Sequence, residues 1–150
     1  MIELQWACHC AYKTRYHMVL CIKYRKKLLL DGDKIHYIKY ICTELGDRYW
    51  FQFDAIGTDG DHIHIFVGAA PRYSPSRIMQ IIKSITAREF FKRFPEIKKQ
   101  LWGGEFWSDG GYIGTVGDGV ASDVIRRYVE AQGTAEEKEK LRQMSLLEFD

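Results

Sequence analysis

The chain has 150 residues, is nearly half apolar, and carries a formal net charge of only +2. That length suits one globular domain with a real core, and no apolar run approaches the roughly 20 residues of a membrane span. The start, Met1-Ile2-Glu3-Leu4-Gln5, lacks the basic-then-apolar layout of a secretory leader, so a cytoplasmic protein with no membrane partner is expected.

In chain order, Tyr16 to Lys23 is rich in strand formers and is expected to be the first strand. Asp31-Gly32-Asp33 opens a helix that runs to about Tyr49, with Ile35, Ile38, Ile41 and Leu45 at helical spacing. Trp50 to Gly57 follows as a second strand. Thr58-Asp59-Gly60-Asp61 is a tight turn, because Asp-Gly favours primed hairpin geometry, and the third strand, His62 to Gly68, therefore pairs antiparallel with the second. Pro71 to Ser76 forms a loop with a capping serine. A helix with a stripe of Ile78, Ile81, Ile82 and Ile85 then runs to Phe94 and is ended by Pro95. Phe106 to Val116 has strand character with a break at Gly110-Gly111. Gly117-Asp118-Gly119 is a linker, and a last helix spans about Ala121 to Gln132 before Gly133. The order strand, helix, strand, strand, helix, strand is that of an α+β, ferredoxin-like (RRM-like) fold: an antiparallel sheet with helices on one face, plus a C-terminal, tyrosine-bearing helix. The whole chain is one domain, with a core at about 12–132 and a charged tail from 134.

The small net charge hides an uneven distribution. Residues 11–30 contain Lys13, Arg15, Lys23, Arg25, Lys26 and Lys27 and no acid, and residues 83–99 add a second basic block. Both blocks are interleaved with aromatics such as Tyr16, Tyr24 and Phe90, a combination that suits single-stranded nucleic acid: phosphates take cations and bases take aromatic faces. Arg15, His17, Lys23, Arg25 and Lys83 are the candidate DNA contacts, although His17 also reads as a satisfied structural histidine. Cysteines 8, 10, 21 and 42 form no zinc-like double pair and read as reduced, buried thiols.

The chemistry is concentrated in His62-Ile63-His64. Alternate residues of a strand face the same way, so the two imidazoles are about 7 Å apart along the chain and able to reach one ion or one phosphate. On the last helix Tyr128 and Gln132 lie one turn apart and share a face. Two imidazole nitrogens and an amide oxygen make a half-shell for a divalent cation, Mg²⁺ or Mn²⁺, with positions left open for substrate and water. Tyr128 is then placed to attack a phosphodiester polarised by that cation. Tyr112 is the rival nucleophile, but its glycine-rich strand suits close backbone packing better.

Several segments together resemble a known family: Tyr16-His17-Met18-Val19 with Lys23-Tyr24-Arg25-Lys26-Lys27, Asp61-His62-Ile63-His64-Ile65, Ile81-Ile82-Lys83-Ser84, Leu101-Trp102-Gly103-Gly104 with Phe106-Trp107, Tyr112-Ile113-Gly114-Thr115-Val116-Gly117, and Ile125-Arg126-Arg127-Tyr128 ending at Gln132. The chain resembles the single-tyrosine transposases of the smallest bacterial and archaeal insertion sequences, within the HUH nuclease class. The resemblance implies metal ligation by His62, His64 and Gln132, a 5′-phosphotyrosine on Tyr128 with release of a 3′-OH, single-stranded hairpin transposon ends as substrate, and a homodimer. In that family the tyrosine helix of one subunit can complete the histidine site of the other, with residues 117–119 as hinge. Two other readings stay open: a domesticated HUH nuclease acting on repeated genomic hairpins, and a non-enzymatic RRM-like binding module, which needs exposed aromatics on its central strands.

Overall fold

The computed structural model of the protein describes residues 3–117. The expected last helix, with Tyr128 and Gln132, and the charged tail lie outside the described residues. A small hairpin, β1 (Gln5–Ala7) with β2 (Cys10–Tyr12), opens the chain. The main sheet has four antiparallel strands: β3 (Tyr16–Cys21), β4 (Gln52–Thr58), β5 (His62–Gly68) and β6 (Tyr112–Thr115), in the order β4-β5-β3-β6. Helices α1 (Gly32–Tyr49) and α2 (Pro75–Arg93) supply the two crossovers, and the arrangement is the expected ferredoxin-like α+β sheet.

The local chemistry explains the boundaries. The Asp31 side chain accepts from the Lys34 amide and caps α1, and Ser74 does the same for α2 through the Arg77 amide. Their apolar stripes close on one face of the sheet: Ile38, Ile41 and Leu45 from α1 and Ile78, Ile82 and Phe90 from α2 pack on Met18, Leu20, Ile63, Ile65 and Val67. Each of these buried aliphatic side chains contributes about 1.5–3 kcal/mol through area removed from water. Strand register then sends the alternate residues to the opposite face. Opposed pairs Val19 and His64, Cys21 and His62, and His17 and Phe66 stand together there.

Several features differ from expectation, among them the second strand, which starts at Gln52 because Trp50 caps α1 at φ 61°, and the Asp59-Gly60 turn, in which only Gly60 takes positive φ. The β1–β2 hairpin was not foreseen. The first strand stops at Cys21 because the chain turns through a short 3-10 segment, Lys23–Arg25, in which Tyr24 and Arg25 take positive φ of 60° and 53°. Pro95 does not simply end a helix: it sits in the first turn of a further one, α3 (Pro95–Gln100), where a missing N–H costs nothing. The strand expected from Phe106 shrinks to β6, because Trp107 makes an isolated bridge with Ile22 and the Ser108 amide donates to the Cys21 carbonyl. Gly111 is forced by close approach: an added Cβ there would stand 2.9 Å from Met79 Sδ of α2 and 3.2 Å from the Val19 carbonyl. Among the described residues no helix is long and apolar enough to cross a membrane.

Candidate metal and DNA site

The β4–β5 turn builds the site. Gly60 takes φ +67°, and its carbonyl accepts from the Leu29 amide, pinning the turn to the segment after β3. That anchoring brings Asp59 and Asp61 beside the first residue of β5. Asp61 Oδ1 accepts the His62 Nδ1 proton at 2.6 Å, and Asp61 Oδ2 receives Arg25 Nε at 3.2 Å. Burial raises the Asp61 pKa, but the hydrogen bond from His62 and the Arg25 charge outweigh it and hold this carboxyl below its ordinary value. A carboxylate only accepts, so His62 carries its proton on Nδ1 and presents the Nε2 lone pair. A carboxylate-backed imidazole is the usual second-shell pattern of a metal ligand.

His62 Nε2 lies 3.2 Å from His64 Nε2, with the rings 5.0 Å apart and steeply inclined. Two atoms bound to one ion at about 2.1 Å stand roughly 3.0–3.4 Å apart for octahedral or tetrahedral angles. The pair therefore fits one edge of a coordination shell. Asp59 Oδ2 is 4.0 Å from His62 Nε2. Among the described residues no group of three or more His, Cys, Asp or Glu side chains is arranged to hold a metal, so the two imidazoles make a partial shell. Both are buried, 2% and 3% exposed, and not open to solvent as the half-shell reading expects. Burial, reinforced by the neighbouring His62 and His17, pushes the His64 pKa down to about 3, so this imidazole is neutral and able to ligate at ordinary pH.

His17 belongs to the same cluster. Its Nε2 is 3.0 Å from His64 Nδ1, and its ring stacks on Phe66 at 4.6 Å. Tyr112 meets the His17 ring edge-on at 5.5 Å and lies over Gly114. The structure thus brings together His62, His64 and His17, with Tyr112 beside them, on the face opposite the helices. This face also disfavours the RRM-like reading, because its central-strand rings, His17, His64 and Phe66, are buried instead of exposed.

The candidate DNA contacts separate. Arg15 is buried and its Nε is paired with Asp54 at 2.7 Å, so it braces β3 against β4 and is not presented to a phosphate. His17 is likewise interior. Lys83 lies half-buried, and its Nζ donates to the carbonyls of Ser108 at 2.9 Å and Gly110 at 2.6 Å, stapling that loop to α2. Arg15 and Lys83 were expected at a DNA surface from charge alone, and loop packing turns them inward, whereas the interior place of His17 fits its other reading, that of a structural histidine. Lys23 pairs with Glu105 at 2.9 Å in an exposed setting, and Arg25 supports Asp61. Around these two lies a surface that sequence reasoning gave too little weight. Tyr24 is 57% exposed and Trp102 86% exposed; the Tyr24 hydroxyl donates to the Trp102 carbonyl, and the Lys26 Nζ donates to the Gln100 carbonyl. Phe106 and Trp107, a few residues further on, are by contrast buried. The signal for Tyr24 and Trp102 was their setting beside lysines and glycines.

A groove of about 550 Å³, lined by Met79, Lys83, Glu105, Trp107 and Asp109 among others, contains no histidine. The imidazole pair therefore lies outside this groove. Of the cysteines, Cys21 and Cys42 are buried as expected, while Cys8 and Cys10 are exposed.

Comparison with known proteins shows the family of the chain. A family model described as IS200-like transposase matches residues 10–132. The ISDra2 transposase TnpA of Deinococcus radiodurans is 28% identical over 121 residues, covering 81% of this chain and 85% of that protein. The transposase for insertion sequence element IS200 of Salmonella typhimurium is 28% identical over 126 residues, covering 83% and 80%. Among solved structures, a candidate transposase from Deinococcus radiodurans R1 superposes with TM-score 0.68 at 26% identity, covering 85% of this chain and 97% of that one. A REP-associated tyrosine transposase bound to a REP hairpin shares the fold, with TM-score 0.53 at 12% identity over 85% and 68%. With the family's model spanning the four-stranded sheet, both crossovers and the histidine strand, the chain belongs to the IS200-like transposases.

Proposed function

We propose that the protein is a metal-dependent, single-strand DNA transposase that cleaves and rejoins hairpin-containing transposon ends through a 5′-phosphotyrosine on Tyr128, acting as a cytoplasmic homodimer. The observation that carries this reading is the 3.2 Å separation of two imidazole Nε2 atoms, one of them backed by Asp61. A Mg²⁺ or Mn²⁺ ion held by His62, His64 and Gln132 supplies Lewis acidity at the scissile phosphate. Imidazole suits Mn²⁺ better, and cellular abundance favours Mg²⁺.

The chain's own residues do the rest. Asp61 fixes the His62 tautomer, and burial keeps His64 neutral. The Tyr128 phenol oxygen attacks phosphorus and gives up its proton; the bond from phosphorus to the 3′ oxygen breaks, and that oxygen leaves protonated as a 3′-OH. The new phosphotyrosyl ester keeps the energy of the broken diester, so a 3′-OH from another strand reverses the step without ATP. The strand approaches over Tyr24, Trp102, Lys23 and Lys26. What supports this path is its continuity with the site, from Arg25 through Asp61 to His62. The glycines at 117 and 119 suit a hinge for exchange of the tyrosine helix between subunits.

The test is a denaturing gel. Protein, Mn²⁺ or Mg²⁺ and a labelled single-stranded transposon end should give a label that migrates with the polypeptide. Tyr128→Phe should give none while still binding the oligonucleotide. A Tyr128→Phe protein that forms the adduct removes Tyr128 as nucleophile, and a Tyr112→Phe protein that fails to form it installs the rival.

A further inference from the structure

We propose that His17 is a positioning residue for the cation site: it accepts the Nδ1 proton of His64 and so releases the His64 Nε2 lone pair for a divalent ion. The inference rests on the reading of His62 and His64 as ligands. Its basis is a continuous chain of donors and acceptors. Asp61 takes the His62 Nδ1 proton, which leaves a lone pair on His62 Nε2. That atom faces His64 Nε2 at 3.2 Å, and His64 Nδ1 faces His17 Nε2 at 3.0 Å.

Two lone pairs 3.2 Å apart repel, so either a proton or a cation must lie between the two Nε2 atoms. Without a cation, His64 carries its proton on Nε2 and donates it to His62; His64 Nδ1 then accepts from His17 Nε2–H. With a cation, His64 Nε2 must be bare. A neutral imidazole has one proton, so that proton moves to Nδ1, and His17 Nε2 must become the acceptor. Loading the site therefore shifts the tautomers of His64 and His17 together. No proton is gained or lost by the pair: one leaves His64 Nε2 for Nδ1, and one leaves His17 Nε2 for its Nδ1.

The surroundings hold His17 in place for this. Its ring lies nearly parallel to Phe66, at 6°, and Tyr112 meets its edge. Its backbone partner across the β3–β6 pair is Gly114. A ring held flat on one side and edge-on on another keeps Nε2 aimed at His64, which is what a second-shell partner supplies.

His17→Phe keeps an aromatic ring against Phe66 but removes the acceptor. His17→Gln restores an acceptor oxygen at about the reach of Nε2. Mn²⁺ affinity is measured by calorimetry on the full-length chain, with thermal melting in chelator to confirm folding. The expected result is a 10- to 100-fold loss of affinity in His17→Phe, with partial recovery in His17→Gln. Histidine ¹⁵N spectra with and without Zn²⁺ should show the His64 proton on Nε2 without the ion and on Nδ1 with it. A folded His17→Phe that binds Mn²⁺ within threefold of the natural chain overturns the proposal, as does a His64 proton that stays on one nitrogen. If the natural chain itself binds no Mn²⁺, the ligand reading fails and the role of His17 fails with it; if only the variant result is negative, the ligand reading survives.

Discussion

Asp61→Ala tests how much of the site depends on a residue that touches no substrate. Asp61 makes two contacts of unequal value. The one to His62 Nδ1 is short, at 2.6 Å, and joins a buried ring to a mostly buried carboxylate. The one to Arg25 is longer, at 3.2 Å, and the guanidinium side chain is 45% exposed. Solvent screening limits an ion pair of the second kind to about 0–1 kcal/mol. A charge-assisted, largely desolvated hydrogen bond of the first kind is worth about 1.5–3 kcal/mol. Without it the imidazole is free to carry its proton on Nε2, the atom that must be bare, and second-shell losses of this type cost about 10- to 100-fold in metal affinity. Asp61→Ala should therefore lower Mn²⁺ affinity by that factor in a calorimetric titration, whereas Arg25→Ala should lower it by less than about fivefold. Equal losses in the two variants, or none in Asp61→Ala, would refute the assignment of Asp61 as the group that sets the His62 tautomer.

Other outcomes follow from the same geometry. Burial, with the neighbouring imidazoles, lowers His64 to about 3, and burial lowers His17 to about 4, both from 6.5; the unfolded chain thus binds more protons below pH 6.5, and stability in chelator should be complete above that pH and fall toward pH 4, by at most about 1.4 kcal/mol per unit per histidine. A melting temperature unchanged between pH 7 and 5 would contradict it. Trp102→Ala and Tyr24→Ala should each weaken single-stranded DNA binding by about 1–3 kcal/mol, and Lys26→Ala should reduce the salt slope by about 0.7; filter binding across a salt series reads both, and unchanged affinity in all three moves the strand elsewhere. Lys83→Met should cost about 1–2 kcal/mol in urea unfolding, through loss of its bonds to the 108–110 carbonyls, with little change in the salt slope for DNA; a slope reduced as in Lys26→Ala would restore Lys83 as a phosphate contact.

What the sequence made legible was what local rules decide. Helix α1 was bracketed by an aspartate cap and an isoleucine period, and β4 and β5 by an Asp-Gly turn, so the histidine strand was found to the residue. Charge was a poorer guide. Arg15 and Lys83 read as surface cations, yet one is enclosed against Asp54 and the other is spent on backbone carbonyls. Their partners lie far away along the chain, and no periodicity announces them. The same holds for His17: only the register of β3 against β5 places it opposite Phe66 and beside His64. Residues 106–111 carry strand-forming side chains but serve as an irregular brace, because Trp107 and Ser108 are claimed by the end of β3. Tyr128 and Gln132 lie outside the described residues, so their part in the site rests on helix spacing and on family resemblance.

The central claim is that two strand imidazoles grip one divalent ion through facing Nε2 atoms, and electron spin echo spectroscopy of the Mn²⁺-loaded protein reads this directly. The account predicts modulation from two bound imidazole nitrogens, reduced to one in His64→Ala. A Mn²⁺ ion that supports DNA cleavage yet shows no coupled histidine nitrogen would contradict it.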